Sequence, residues 1–243
     1  MATTTHHRRI TRKELRQPDE FQNIIEKTTT FIGENLLRIL AVVAAAIVLI
    51  FGLMGVRAYF ARQRNLAAEA FYQATSALDR KDFRTAATAY AQLAQAYPAT
   101  PLGQLARFYA GNAYLALGDN ARARDAYRQY LATADRPTFR EMALMQLGVA
   151  DENLGDTAGA QKAYEDAASL NGPEQERAAL NAARLMAQRG DKQGAVAAYQ
   201  RLLREHPFTQ ERAIVVDALA DLGATPETPP ANPTASIPVT VKK

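Results

Sequence analysis

The sequence predicts an all-α protein: a single transmembrane helix, then an α-solenoid of about four helix–turn–helix repeats, closed by a C-terminal capping helix. Two observations support this prediction. An uncharged apolar run lies near the N-terminus, and a motif recurs four times after it at spacings of 35 to 37 residues. The chain also has no cysteine, which excludes disulfides, thiolate metal sites and a lipid-modified N-terminal cysteine.

The apolar run Ile39–Val56 is 18 residues long and carries no charged side chain. As a helix it is roughly 27 Å long, which is close to the thickness of the hydrocarbon core of a bilayer. A cleaved signal peptide would have a shorter apolar core and a shorter leader. A buried helix of a soluble protein would include polar side chains. We therefore predict a retained anchor with its transmembrane helix at residues 36–57.

The charge distribution around the apolar run predicts the topology. Five Lys and Arg residues precede residue 17, while the basic residues directly beside the run are nearly balanced. The positive-inside rule then favours a cytoplasmic N-terminus and a large domain across the membrane. Residues 1–17 are predicted to be a disordered basic tail, and residues 18–35 an amphipathic juxtamembrane helix. That helix can lie on the membrane surface or dock onto a membrane partner.

The net charge of the folded part argues against nucleic acid as a partner. The whole chain has a formal net charge of +4. Residues 58–223, however, contain 19 Lys plus Arg and 19 Asp plus Glu, so the excess lies in the tails. Binding driven by phosphate neutralisation requires a basic surface that this domain does not have.

Four segments of the domain align with one another. Each opens with a turn dipeptide, Lys-Asp once and Gly-Asp three times, and then has Ala and Tyr four residues apart. Gly-Asp is typical of a helix end followed by the N-cap of the next helix. The small Ala allows two helices to approach, and the Tyr one turn later fills the space beside it. The segments are Lys81–Pro98, Gly118–Leu131, Gly155–Leu170 and Gly190–Pro207.

These segments resemble the tetratricopeptide repeat (TPR) family. Gly111-Asn112-Ala113-Tyr114 and Leu147-Gly148 match first-helix positions of the family pattern, and the Ala, Tyr and Pro residues match its second-helix positions. The sequence departs from the pattern in lacking the early Trp and in spacings above the usual length of about 34 residues. The resemblance implies a TPR-like α-solenoid over residues 58–222.

The two ends of the domain are also predicted. No helix breaker occurs from Val56 to Asp79, so the span is expected to run on into the first repeat helix as one long helix. Gln210–Gly223 reads as a helix that closes the solenoid, as open repeat arrays require. Residues 223–243 are rich in proline and are predicted to be a disordered tail.

The whole architecture resembles the YfgM-like family of bacterial envelope proteins, which are ancillary subunits of the Sec translocon. Phe31, Glu34-Asn35 and Gly190–Ala195 carry the local likeness. The resemblance implies a single-pass protein of the bacterial plasma (inner) membrane with a periplasmic domain. It implies partners among Sec translocon subunits and periplasmic chaperones. Tyr97–Pro101 also looks like TPR proteins of outer-membrane assembly and the Tol-Pal system, so an envelope-assembly or cell-division scaffold is the alternative.

The sequence shows no catalytic constellation, so we predict a protein that is not an enzyme and that needs no cofactor, metal or small-molecule substrate. The three histidines are not spaced as a metal set, and the Gly-Asp turns do not form a phosphate-binding loop. The paired acids Asp151-Glu152 and Glu165-Asp166 are adjacent in sequence and therefore point apart on a helix. We assign both pairs to solvated faces.

A binding groove is predicted on the first helices, which line the concave face in TPR solenoids. Phe71, Phe108, Met145 and Leu180 occupy one equivalent position in four successive repeats. This stripe could hold an apolar stretch of a client chain, or it could pack between helices. The resemblance also places Asn112 in the groove, where its amide could bond to an extended backbone.

Overall fold

A computed structural model describes residues 20–133 and 137–226. Within these ranges the chain forms nine α-helices and no strand, which confirms the predicted all-α class. The chain divides into two compact units, Met1–Ala61 and Arg62–Lys243. The predicted tail at residues 1–17 and most of the predicted tail at 223–243 lie outside the described residues. The helices are α1 (Glu20–Asp79), α2 (Phe83–Ala96), α3 (Pro101–Ala116), α4 (Asn120–Leu131), α5 (Pro137–Asn153), α6 (Thr157–Ala168), α7 (Gln175–Gln188), α8 (Lys192–Glu205) and α9 (Arg212–Asp221).

The first unit is formed by α1 up to Ala61. Among the described residues, α1 is the one helix that is long and apolar enough to cross a membrane. Its most apolar window has a mean hydropathy of 2.9, and none of that window is buried by the protein itself. The apolar side chains of this segment, such as Val42 and Val48, are exposed, and the described residues form no core around them.

The second unit is a series of helix pairs, in which each pair has a first helix and a second helix. The first helices are α1 from Arg62 onward, α3, α5 and α7, and the second helices are α2, α4, α6 and α8. Each second helix packs against the first helix before it and, from α2 to α6, against the first helix that follows. The pairs correspond to the four aligned segments of the sequence, so the predicted repeats are confirmed.

The turn inside each repeat has the backbone that the Gly-Asp dipeptide predicts. Gly118, Gly155 and Gly190 have φ angles of 74°, 77° and 87°, in the left-handed region where glycine has no steric penalty. Lys81 takes the same place in the first repeat with a φ of 61°. The next N–H then bonds back into the first helix, for example from Asp119 N–H to the carbonyl oxygen of Tyr114 at 2.9 Å.

The aspartate of each turn caps the second helix. Its carboxylate accepts a hydrogen bond from the backbone N–H three residues later, so a free donor of the first turn is satisfied. The four N-caps are Asp82, Asp119, Asp156 and Asp191.

The Ala-Tyr pair of each repeat lies in the core between the two helices. The four alanines and four tyrosines of these pairs are all buried. Glycine on the first helix makes room for the ring in two repeats, because a Cβ on Gly111 or Gly148 would lie 2.6 or 2.5 Å from the nearest ring atom of Tyr127 or Tyr164. Close approach of the two helices therefore depends on small residues on both of them.

Helix α9 has the features of the first helix of a further repeat. It ends at a Leu-Gly turn in which Gly223 has a φ of 74° and Ala224 N–H bonds to the carbonyl oxygen of Leu219. Val215 and Leu219 are buried against α8. An alanine follows the turn glycine where the other repeats have their capping aspartate. The predicted closing helix is thus built from the repeat pattern itself.

Candidate protein-binding site

The first helices of successive repeats are direct neighbours. Helix α3 contacts α5, and Arg184 of α7 pairs with Glu152 of α5. Side chains spaced three or four apart on these helices share one face. We call the surface that they form the first-helix face. Its partly or fully exposed members include Leu105, Asn112, Leu115, Met142, Val149, Leu180 and Arg184.

Phe71 and Phe108, two members of the predicted stripe, pack among aromatic rings beneath this face. Phe71 is half-buried, with its ring centroid 5.4 Å from that of Tyr90. Phe108 is only 2% exposed and lies 5.6 Å from the ring of Phe139 and 5.7 Å from that of Tyr130. The described contacts of both side chains are therefore packing contacts, and their role in client binding stays a prediction.

The other two stripe members follow the same trend. Met145 is 5% exposed and belongs to the core cluster of Tyr164. Leu180 is half-buried beside the cluster of Tyr199. One turn before Met145, Met142 is 38% exposed, so it presents more apolar surface to a partner than any buried stripe residue can. A role for Met145 and Leu180 in binding likewise stays a prediction.

Asn112 lies partly exposed on the first-helix face, and half of its amide is already engaged. Its Oδ1 accepts a hydrogen bond of 2.7 Å from the hydroxyl of Tyr127, and burial raises the pKa of that phenol. Thr75 makes the corresponding contact with Tyr90 in the first repeat, at 2.9 Å. Among the described residues the Nδ2 of Asn112 makes no hydrogen bond, so its two donors are available to a bound backbone.

Sequence reasoning missed a polar cluster in the third and fourth repeats. Arg184 donates from Nη2 to both carboxylate oxygens of Glu152 at 2.8 Å, and the hydroxyl of Tyr164 donates to the same carboxylate at 2.7 Å. Arg184 occupies the repeat position that holds Asn112 in the second repeat and Thr75 in the first. Aligning this position across the repeats would have drawn attention to it, because it is polar in three of the four.

The assignment of Asp151 to a solvated face was wrong. The side chain is 1% exposed, and its Oδ1 makes no hydrogen bond in the described part of the chain. The guanidinium nitrogens of Arg124 and Arg128 lie 3.9 and 3.8 Å from that oxygen. Burial raises the pKa of this carboxyl, and the two arginines offset part of the effect. Glu165 and Asp166, in contrast, are exposed as predicted.

A second buried carboxylate fixes the loop that follows α6. Glu141 of α5 is 1% exposed, and its Oε1 accepts a hydrogen bond of 3.0 Å from the N–H of Glu174. Burial raises the pKa of this group as well. A Cβ on Gly172 would overlap the carboxylate of Glu141, so a larger residue in this loop would have to displace that side chain. The contact links successive repeats.

The described residues contain no group of three or more His, Cys, Asp or Glu side chains that could hold a metal ion. What they contain is a two-layer array of helical repeats with a mixed apolar and polar face, which defines a helical-repeat protein of the type that binds other proteins. The family model described as a tetratricopeptide repeat-like domain matches residues 30–224, and the chain therefore belongs to this family. Proteins of this family are typically interaction scaffolds rather than catalysts.

Two solved structures are similar to the chain. The crystal structure of the MamA protein has the same fold and is 19% identical, with a TM-score of 0.54, over 65% of this chain and 82% of that chain. The Sgt2 TPR domain from Aspergillus fumigatus is 20% identical, with a TM-score of 0.40, over 70% of this chain and 91% of that chain. No curated protein sequence matches the chain. The resemblance to the YfgM-like family therefore stays a prediction.

Proposed function

We propose that this chain is a membrane-anchored TPR scaffold that holds protein segments on its first-helix face beside the Sec translocon, on the periplasmic side of a bacterial inner membrane. In this role α1 crosses the membrane with its N-terminus in the cytoplasm. The repeat domain then binds translocon subunits, periplasmic chaperones or the chains that emerge from the channel. Partners in envelope assembly or cell division are the alternative.

The observation that carries the proposal is the extent of the family match. The match begins at residue 30, ahead of the apolar run, and continues to residue 224. The apolar segment is therefore part of what defines the family, together with the repeats. A scaffold whose family match includes an apolar segment long enough to span a bilayer acts at a membrane.

The first-helix face supports binding to protein segments of mixed character. Met142 and Val149 offer apolar surface, and Met adapts to different side chains because it is unbranched and polarisable. Asn112 offers amide donors to a backbone, and Arg184 presents a guanidinium whose position is fixed by Glu152. This combination suits extended or helical client segments better than a compact small molecule.

The test is photo-crosslinking in intact membranes from a photo-reactive residue at Met142. This position is preferable to Phe108 or Met145, whose side chains are buried, so that a probe there would disturb the core. The matched control places the same probe at the exposed Asp166, on the second helix of the same repeat. We expect crosslinks to translocon subunits or emerging secreted chains from Met142 and not from Asp166.

Crosslinks from Met142 only to outer-membrane assembly or division proteins would favour the alternative and contradict the translocon assignment. Equal crosslinking from both positions would show that the first-helix face is not the binding surface.

The topology can be tested separately because the chain has no cysteine. Single cysteines are placed at Thr4 and at the exposed Asp217, and intact cells with a permeable outer membrane are treated with a maleimide that does not cross the inner membrane. We expect labelling at residue 217 only. Labelling at residue 4 alone would reverse the proposed orientation.

A further inference from the structure

Two open grooves lie between second helices, at equivalent places in the array. One lies between α2 and α4 above α3 and has a volume of about 400 Å³. The other lies between α6 and α8 above α7 and has a volume of about 280 Å³. We call them the N-terminal groove and the C-terminal groove. Both are lined by second helices, so they are distinct from the first-helix face.

The grooves are open because the sequence lacks the large residues that the TPR pattern has at these positions. The pattern has Trp and Leu four residues and one residue before its helix-packing glycine. The N-terminal groove has Arg107 and Ala110 there, and the C-terminal groove has Ala179 and Ala182.

The repeat between them shows which side chains fill this space. Leu144 and Leu147 occupy the two positions in α5, and both are buried. The fold therefore accepts leucine-sized aliphatic groups between its second helices, and two of the three sites do not receive them from the first helix. An aliphatic side chain from elsewhere can fill the C-terminal groove, where Met186 and Leu202 extend the apolar lining.

We propose that the segment Ile237–Lys243 of this same chain docks in the C-terminal groove. This segment has aliphatic residues at alternate positions, Ile237, Val239 and Val241, followed by Lys242 and Lys243. It is the one aliphatic cluster after residue 226, and the residues that separate it from α9 are rich in proline and small polar residues. The family match ends at residue 224, so the segment is an addition to the family domain.

The tail begins close to the groove. The carbonyl oxygen of Thr225 accepts a hydrogen bond of 3.4 Å from Gln200 of α8, and α8 forms one wall of the C-terminal groove. The 11 positions from Pro226 to Ile237 span up to about 38 Å when extended, against a helix diameter of about 10–12 Å. The segment can therefore pass around α8 and reach the groove.

Charge selects the C-terminal groove over the N-terminal one. Glu165 and Glu205 line the C-terminal groove with Arg201 and His206. Arg107 and Arg122 line the N-terminal groove with Asp125, and Arg122 also pairs with Asp119. Because the docking segment ends in two lysines, it is attracted to the acidic rim and repelled by the basic rim.

The experiment uses the full chain in nanodiscs with a photo-reactive residue at Val239, and crosslinked peptides are identified by mass spectrometry. We expect crosslinks to α6, α7 or α8 within one chain. The double variant Ala179→Leu with Ala182→Leu places leucines on α7 where α5 has Leu144 and Leu147. These side chains fill the groove, so the crosslinks should be lost. The matched control Arg107→Leu and Ala110→Leu makes the same change in the N-terminal groove and should leave the crosslinks unchanged.

A second variant avoids any change to the folded domain. Ile237→Asp with Val241→Asp removes the aliphatic side chains from the tail itself and should also abolish the crosslinks. Crosslinks between two chains, crosslinks to the first-helix face, or crosslinks that survive filling of the C-terminal groove would each overturn the proposal. The proposed function is tested separately, because its probe at Met142 lies on the first-helix face and does not line the C-terminal groove.

Discussion

At the scale of single residues, the turn inside each repeat is where sequence and backbone are most tightly linked. Three repeats have glycine at the left-handed position and the first repeat has Lys81. A side chain at positive φ is strained by roughly 1–2 kcal/mol, because its Cβ approaches the following carbonyl oxygen. The first repeat therefore carries a local strain that the other three avoid.

We expect Lys81→Gly to raise the free energy of unfolding by about 0.5–1 kcal/mol, since the relief of strain exceeds the added entropy of the unfolded chain. Gly155→Lys should lower it by a similar amount, because a Cβ there meets no atom within 4 Å and the loss comes from the backbone alone. Urea unfolding of both variants measures the effect. Equal stability of all three proteins would show that the position is not strained.

The buried carboxylate of Asp151 predicts a pH dependence of stability. Its pKa is raised in the folded chain because of burial, so the folded state holds a proton over a pH range in which the unfolded chain has lost it. The contribution of this group to the free energy of unfolding therefore falls as the pH rises from the ordinary carboxyl range, at about 4, through the folded pKa.

We expect Asp151→Asn to flatten this dependence in urea unfolding measured between about pH 4 and pH 7. Glu141 contributes with the same sign and stays in place, so the slope is reduced and not abolished. Asp217→Asn, at an exposed position, serves as the control. A slope that is the same in the Asp151→Asn variant and in the original protein would contradict the role of this carboxyl.

At the scale of elements, each second helix is a short segment that depends on its cap. Helices α4 and α6 have 12 residues and helices α2 and α8 have 14. Isolated helices of this length are marginal in water, so they persist because of their caps and their buried face. The aspartate that follows each turn glycine supplies the first of these contributions.

We expect Asp191→Ala to lower the free energy of unfolding by about 1 kcal/mol, because the N–H of Gly194 loses the carboxylate oxygen that accepts its hydrogen bond at 2.9 Å. Asp191→Asn keeps an acceptor and should remain close to the original protein. The comparison of the two variants by thermal unfolding separates capping from charge. Equal losses in both would contradict the capping argument.

At the scale of the whole molecule, the properties of α1 differ along its length. Its N-terminal part has apolar residues exposed on all sides. From Arg62 onward it contributes Ala67, Ala74 and Ala77 to the core that it shares with α2 and α3. The same helix therefore meets two different environments, one that suits lipid and one that is packed protein.

We expect the full chain to sediment with membranes and resist extraction at high pH. Val43→Arg with Leu49→Arg should shift it to the soluble fraction, because an arginine at the centre of a span costs about 2.5–3.5 kcal/mol. Tyr72→Arg, on the exposed side of α1 within the repeat domain, should leave it with the membranes. Retention of the double variant in the membrane would contradict a spanning role.

The sequence by itself determined the helical class, the four repeats, their turns and the apolar segment, because each of these depends on residues close together in the chain. The Gly-Asp dipeptide determines the backbone of the turn, and the Ala-Tyr spacing places both residues on one face of a helix. An uncharged apolar run of this length indicates a membrane span. These predictions needed no knowledge of which repeat contacts which.

Only the tertiary structure decided which side chains are available. Phe108 and Met142 are both apolar and both lie on first helices, yet one is buried under rings from three helices and the other is exposed. Asp151 and Glu152 are adjacent, yet one is enclosed and the other bonds an arginine 32 residues away. The open grooves likewise result from which repeats have Leu and which have Ala at facing positions. Burial depends on neighbours that the chain brings together only on folding, so local pattern alone does not contain it.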